Sequence, residues 1–327
     1  MEKLRFMKWF FAIGSESCNF DKYEEMIKVA VISARKNAPS LEPICIFDGP
    51  ESEFTWWLKD NNVKVIHHRV SFYNDLIAYA SESDPNSKGA TNALHGILPG
   101  VFLRLDLPLI MKKNNLNDEV ILYTDCDVLF MKDINIDEIG QIDIFSAAPE
   151  HEKNNYDYIN TGVMFINVKV MQNYYDELVA FTKNELKSLK KIVAWDQGII
   201  NKFFKGRWNK LDIKYNWKPY WGTNLEAPIV HFHGPKPYER DLIRRCNISL
   251  SLISKIKRKL CRIFHKVNIF KINKNKNSCS TQRIASMKEH FYGEGFEYFT
   301  DKWFSTLESI DETNSLQSNV DKSTVRT

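Results

Sequence analysis

The chain has 327 residues, 43% hydrophobic and 26% charged, with a formal net charge of +4. That is the composition of a globular protein long enough for one large domain and an appendage, and it argues against a disordered or collagenous chain. No run approaches the roughly 18 apolar residues of a membrane span, and the positive charge is local: residues 255–276 hold nine Lys or Arg and no acid, which leaves the remainder with 36 basic against 41 acidic residues.

The N-terminal MEKLRFMKWFFAIG is basic and then briefly apolar. Its apolar run, Trp9 to Gly14, is shorter than the roughly 7–15 residues of a secretory core, so Lys8–Ile13 reads as a first buried strand. Further strands are predicted at Ile44–Phe47, Val63–Ile66, Val120–Tyr123, Ile142–Ser146, Val163–Asn167 and Ile229–Phe232. Helical periodicity covers Lys22–Asn37, with Ile27, Ala30, Val31 and Ala34 on one face, and Met171–Val193. Strands alternating with helices imply an α/β sheet over residues 1–240, and in such sheets ligands sit at the carboxyl ends of strands. Residues 268–284 read as a polar linker, 285–308 as an aromatic-rich helical segment within a 241–310 appendage, and 311–327 as a disordered tail. The six cysteines, Cys18, Cys45, Cys126, Cys246, Cys261 and Cys279, include no C-x-x-C pair. They suggest neither a zinc site nor a disulfide framework, and free thiols in the cytoplasm are expected.

Four segments carry chemistry. In VILYTDCDVLF, residues 120–130, an apolar strand ends in two carboxylates one residue apart, Asp125 and Asp127. Charges in such a setting need compensation, and a hard divalent cation completed by phosphate oxygens supplies it. In PIVHFHGPKPYER, residues 228–240, His231 and His233 flank Phe232 and a turn at Gly234 presents Lys236. Imidazole ligates metals and lysine is a point charge suited to phosphate. In YINTGVMFINV, residues 158–168, a polar Asn160-Thr161-Gly162 turn is expected to feed a buried strand. In AWDQGIINKFF, residues 194–204, Asp196 and Gln197 open an apolar helix, where an acid is favourable anyway. A phosphatase with Asp125 as nucleophile, of the haloacid dehalogenase type, would want Thr or Val where Leu129 stands, and its motif near the N-terminus.

With FLRLDLP (102–108) and LDIKYNW (211–217), these segments, in this order, resemble glycosyltransferase family 8 over about residues 8–240. The resemblance implies the GT-A fold, a Rossmann-like mixed sheet flanked by helices, here with a helical C-terminal appendage. It implies that Asp125, Asp127 and His231 bind Mn²⁺ or Mg²⁺ and that Arg104, Asp125, Gly234 and Lys236 hold the nucleotide sugar. Asn160, Asp196 and Gln197 would face the transferred hexose. The turn before Lys236 is one residue shorter than the family pattern, which leaves His231 and His233 both open as ligand; His231, preceding the aromatic residue, is preferred. The implied reaction is retaining transfer of a hexose, from UDP-galactose or UDP-glucose, to a glycan or lipid-linked acceptor in bacterial surface polysaccharide synthesis. The competing class is a non-catalytic sugar-nucleotide or glycan-binding protein on the same fold.

The basic stretch lacks aromatic interleaving, so no nucleic-acid partner is expected. Over residues 252–267, Leu252, Ile253, Ile256, Leu260, Ile263, Phe264 and Val267 fall within a helical arc of about 120°. Lys255, Arg258, Lys259, Arg262 and Lys266 lie opposite. That pattern suits a peripheral helix on an anionic membrane at its inner face, and equally a stripe packed on this protein's own domain with its charges facing water.

Overall fold

The computed structural model describes residues 6–17, 19–83, 96–188, 194–245 and 276–324. Seven strands form one sheet in the order β3-β2-β1-β4-β7-β6-β8. They are β1 (Met7–Gly14), β2 (Leu41–Asp48), β3 (Lys64–His67), β4 (Val120–Thr124), β6 (Phe145–Pro149), β7 (Ile159–Asn167) and β8 (Asn209–Lys210). The β3-β2-β1-β4 half is parallel, whereas β7 runs antiparallel to both β4 and β6. A separate antiparallel pair joins β5 (Val128–Phe130) to β9 (Ile229–His231).

The sheet is covered on both faces, and the period of two along β1 shows why. Phe10 and Ala12 belong to one apolar cluster, while Met7, Trp9, Phe11 and Ile13 belong to the other. A parallel strand buried on both sides reads as a continuous apolar run. The indole of Trp9 donates to Thr124 Oγ1 at 2.9 Å, so even the polar edge of that core is satisfied. The helix Phe20–Asn37 buries Ile27, Ala30, Val31 and Ala34, the predicted face, together with Ser33. Ser33 Oγ accepts the amide of Phe130 at 3.1 Å and Asn37 Nδ2 donates to the Phe130 carbonyl at 2.8 Å, so this helix grips β5 from outside the main sheet.

Several expected elements are displaced. Strand β6 lies three residues beyond the predicted Ile142–Ser146, because its buried positions run on through the small residues Ala147 and Ala148 to Pro149, which a hydropathy pattern passes over. Asn160, Thr161 and Gly162 are not a turn: all three are buried residues of β7. Their polar groups find side-chain partners inside the sheet edge, so the strand tolerates them. The helix predicted at Met171–Val193 runs Val168–Lys187, and residues 189–193 lie outside the described residues. Helices Lys276–Phe291 and Glu294–Thr324 run through part of the expected linker and most of the expected tail.

The described chain divides into two compact units at places other than residue 240. One comprises Met1–Trp217, Leu225–His231 and Thr306–Thr327; the other Lys218–Asn224 and Phe232–Ser305. The second unit is bound together by ion pairs of Arg240 with Asp301 and Arg244 with Glu297, and by the Phe232–Phe296 ring contact. A side chain at Gly295 would meet the Pro219 carbonyl at 2.3 Å, so glycine permits that close approach. Among the described residues no helix is long and apolar enough to cross a membrane. The amphipathic 252–267 stretch lies outside the described residues, as do Cys18, Cys246 and Cys261. Cys45 and Cys126 are free thiols.

Candidate metal and active site

Strand β4 leaves the sheet at Thr124 and the chain runs on through Asp125-Cys126-Asp127 into β5. The Asp125 amide still donates to the Gly162 carbonyl at 2.8 Å, which prolongs the β4–β7 ladder by one rung. Cys126 turns its thiol to the Ala12 carbonyl, 3.3 Å away. His231 arrives by the second sheet: Val128 of β5 pairs with His231 of β9, which sets the imidazole beside Asp127. Its Nε2 is 3.3 Å from Asp127 Oδ1 and 3.9 Å from Asp125 Oδ2. The three side chains offer ligand atoms that all lie within 4.8 Å of one another. Two carboxylates and an imidazole are a donor set for a divalent cation of the Mn²⁺ or Mg²⁺ kind.

The His231 ring and Asp125 close up on residue 162, which leaves no room for a side chain there. A Cβ there would lie 2.2 Å from His231 Cε1 and 2.9 Å from Asp125 Oδ2. Glycine in the interior of a strand weakens it, and close approach of a ligand or of other groups is the usual reason for one. The residues present therefore fit a bound cation: two carboxylates and an imidazole converge, and the absence of a side chain at 162 lets the His231 ring approach Asp125.

Arg104 is buried beside this group. Its Nη2 donates to Asp125 Oδ1 at 2.6 Å, its Nη1 donates to the Thr161 carbonyl at 2.5 Å, and its Nε stands 2.5 Å from Asp196 Oδ2. The guanidinium also lies over the Tyr123 ring, 4.7 Å from its centroid. These partners make it an internal strut that orients two carboxylates. Burial works against its charge, but Asp125 and Asp196 more than offset it and hold the guanidinium firmly protonated. Asp196, 4% exposed, has its carboxyl pushed up to about 6 by burial, against the pull of Arg104. It follows Ala194 and Trp195, whose φ values of 55° and 43° are left-handed. Left-handed non-glycine residues are uncommon and cluster at functional sites, and here they aim the start of the Trp195–Phe203 helix at Arg104.

Gln197 Oε1 accepts the Thr161 amide at 3.1 Å and Asn160 Nδ2 at 3.2 Å. Asn160, 2% exposed, also donates to Glu150 Oε2 at 2.8 Å. The structure thus brings together Asp125, Asp127, His231, Arg104, Asp196, Gln197 and Asn160. Gly234 and Lys236 belong to the second unit, where Gly234 takes a φ of +105° and Lys236 Nζ donates to the Phe232 carbonyl at 2.8 Å. His233 also belongs there, with its Nδ1 3.1 Å from the Tyr220 hydroxyl.

Sequence reasoning missed Glu150 and Asn216, and gave Gly162 no part in the site. Asn216 stood inside the LDIKYNW segment without a role; its meaning depends on a pairing with His231 that no local pattern reveals.

Comparison with known proteins follows the same lines. The profile of glycosyl transferase family 8 matches residues 21–241. A curated relative, the probable glycosyl transferase Gly of Streptococcus gordonii, is 30% identical over 138 residues. That match takes in 35% of this chain and 19% of the relative, so the chain spans about a fifth of that protein's length. The galactosyltransferase LgtC, solved in complex with donor and acceptor sugar analogs, superposes with a TM-score of 0.51 at 16% identity, covering 84% of this chain and all of LgtC. An active-site mutant of LgtC gives 0.52 at 17% identity, covering 79% and 96%. At such identities the likeness is one of fold, the mixed GT-A sheet flanked by helices.

Proposed function

The chain belongs to glycosyl transferase family 8 and is a glycosyltransferase, and from that premise we propose that it moves a hexose from UDP-galactose or UDP-glucose to a hydroxyl of a glycan or lipid-linked acceptor in bacterial surface polysaccharide synthesis. The observation that carries this reading is the convergence of Asp125, Asp127 and His231 at the carboxyl end of β4, where Gly162 lets the His231 ring close up on Asp125. These three would hold Mn²⁺ or Mg²⁺. When bound, such a cation offsets the negative charge that develops on a departing diphosphate.

The chain's own residues supply orientation. Arg104 fixes the direction of Asp125 by donating from Nη2 and forms an ion pair with Asp196. The Asn160–Gln197–Thr161 hydrogen bonds hold the start of β7 against the Trp195–Phe203 helix, where the sugar would lie. Asp196 is engaged by a buried guanidinium and is a poor nucleophile in that state. We therefore favour departure and attack on one face of the sugar: the bond from the anomeric carbon to the phosphate oxygen breaks, the acceptor oxygen bonds to that carbon, and the leaving phosphate takes the hydroxyl proton. This sequence retains configuration.

The test is thermal. A preferred UDP-sugar should raise the melting temperature with Mn²⁺ present and much less without it, because a ligand stabilises the state it binds. A panel of nucleotide sugars that stabilises equally with and without the metal, or not at all, would remove the reading. Attachment to an anionic membrane through residues 252–267 is a separate proposal. Co-sedimentation with anionic vesicles, compared with a chain truncated after Tyr238, decides it; equal binding by both would sink it.

A further inference from the structure

A chain of hydrogen bonds leads from a backbone amide to the ring of His231. The Gly162 amide can only donate, and it points at Asn160 Oδ1, 3.0 Å away. That contact fixes which end of the Asn160 amide is oxygen. The same oxygen faces Asn216, whose atom at 2.9 Å must therefore be the donor, Nδ2. Asn216, fully buried, is thereby turned so that its Oδ1 faces His231 Nδ1 at 2.9 Å. An amide oxygen can only accept, so His231 Nδ1 carries the proton.

The backbone holds this register independently of the side chains. Asp212 caps the short turn Ile213–Asn216 by accepting the Lys214 amide. The next residue, Trp217, accepts the His231 amide at 2.8 Å and donates to the Ile229 carbonyl at 3.0 Å. Asn216 and His231 are thus locked side by side before their side chains choose an orientation.

We propose that Asn216 is a positioning residue that, set by Gly162 through Asn160, holds His231 in the Nδ1–H tautomer and presents its Nε2 lone pair toward Asp125 and Asp127. The inference rests on the cation site of the proposed function. It adds that a neutral amide relay keeps a proton on Nδ1 and leaves Nε2 as the ring nitrogen that faces the cation site. Partners that orient a ligating histidine in this way commonly contribute a factor of about 10–100 in metal affinity.

The decisive measurement is the ¹⁵N spectrum of the histidine rings in metal-free protein, roughly two pH units above the ordinary imidazole value near 6.5. His231 is assigned by comparison with His231→Gln. The expected spectrum has a protonated Nδ1. A bare Nδ1, with the proton on Nε2 alone, overturns the proposal. In the second arm, Asn216→Leu should raise the Kd for Mn²⁺ alone about 10–100-fold and let the Nε2–H tautomer appear. A folded Asn216→Leu protein with wild-type spectrum and wild-type Mn²⁺ affinity also overturns it. Should the wild type show the expected tautomer yet bind no Mn²⁺, the metal reading fails while the tautomer assignment stands, so the two are separable.

Discussion

Two buried charges, Arg104 and Asp106, stand two residues apart on one short turn, Leu103–Asp106, and their surroundings treat them oppositely. Asp106 is fully buried and accepts from four donors: His68 Nε2 at 2.8 Å, the Ser71 amide at 2.6 Å, Ser71 Oγ at 2.9 Å and the Tyr175 hydroxyl at 2.8 Å. Burial alone would raise its carboxyl, but those bonds outweigh burial and hold it below the usual carboxylate range. Arg104 instead is shared between two acids, one on the candidate cation site and one pushed up to about 6. A buried charge ringed by fixed hydrogen-bond donors is a structural tie between the segment that follows β3, the Val168–Lys187 helix and the turn. A buried charge shared among other charges leaves its partners poised to respond to a ligand.

Four measurements sharpen or break that contrast. The largest effect is expected from Asp127→Asn, which should cut transfer on the order of a thousandfold, as removal of a preorganised electrostatic group does. Its melting temperature should stay within a few degrees of wild type; near-normal turnover would end the cation-site reading. Next, Asp106→Ala should lower the unfolding free energy by about 3 kcal/mol, because it strands four buried donors. Denaturant titration measures this, and Mn²⁺ affinity per folded molecule should be unchanged. If Asp106→Ala instead kept its stability and lost the metal, the two charges would have exchanged roles.

Third, His231→Ala removes a ligand and should weaken Mn²⁺ binding by more than the roughly 10–100-fold expected of its outer-shell partner, while His233→Ala should leave it unchanged. The reverse order would move the ligand to His233. The smallest effect is in pH. Asp106 has a lowered folded pKa, so its contribution is complete above the unfolded value near 3.9 and is lost as pH falls toward the folded value. Asp196 has the opposite sign. Its raised folded pKa means that folding favours its protonated form. Its contribution therefore declines as pH rises from about 4 to about 6, by up to about 1.4 kcal/mol per unit. In metal-free protein, Asp196→Asn should flatten that decline, and Asp106→Asn should flatten the acid limb instead. Curves that coincide with wild type over both limbs would contradict both assignments.

How far this was legible in the sequence follows the same divide. The strands β1, β2 and β4 are near-continuous apolar runs because both faces are covered, and they read directly. Strand β6 read three residues early, since Ala147 and Ala148 pack well but score poorly. Asn160-Thr161-Gly162 read as a turn because nothing local shows that Glu150, Gln197 and Asn216 complete its hydrogen bonds. Asp125 and Asp127 were legible from their place at a strand end. Asp106 was not singled out, although it lies in the same FLRLDLP segment as Arg104, because its four donors come from residues 68, 71 and 175. Pairing across long stretches of chain carries no local signature.

The residue between the two aspartates has a practical consequence. An Asp-Cys-Asp sequence invites the thought of a soft-metal site with sulfur as a ligand. Cys126 instead bonds to the Ala12 carbonyl, and burial, reinforced by the two neighbouring carboxylates, pushes its thiol well up from the ordinary range. Thiolate is the form that alkylates and that binds soft ions, and at neutral pH this side chain offers almost none. Iodoacetamide at neutral pH should therefore spare Cys126 in the folded protein, and cadmium should gain no advantage over manganese from the sulfur that sits between its ligands.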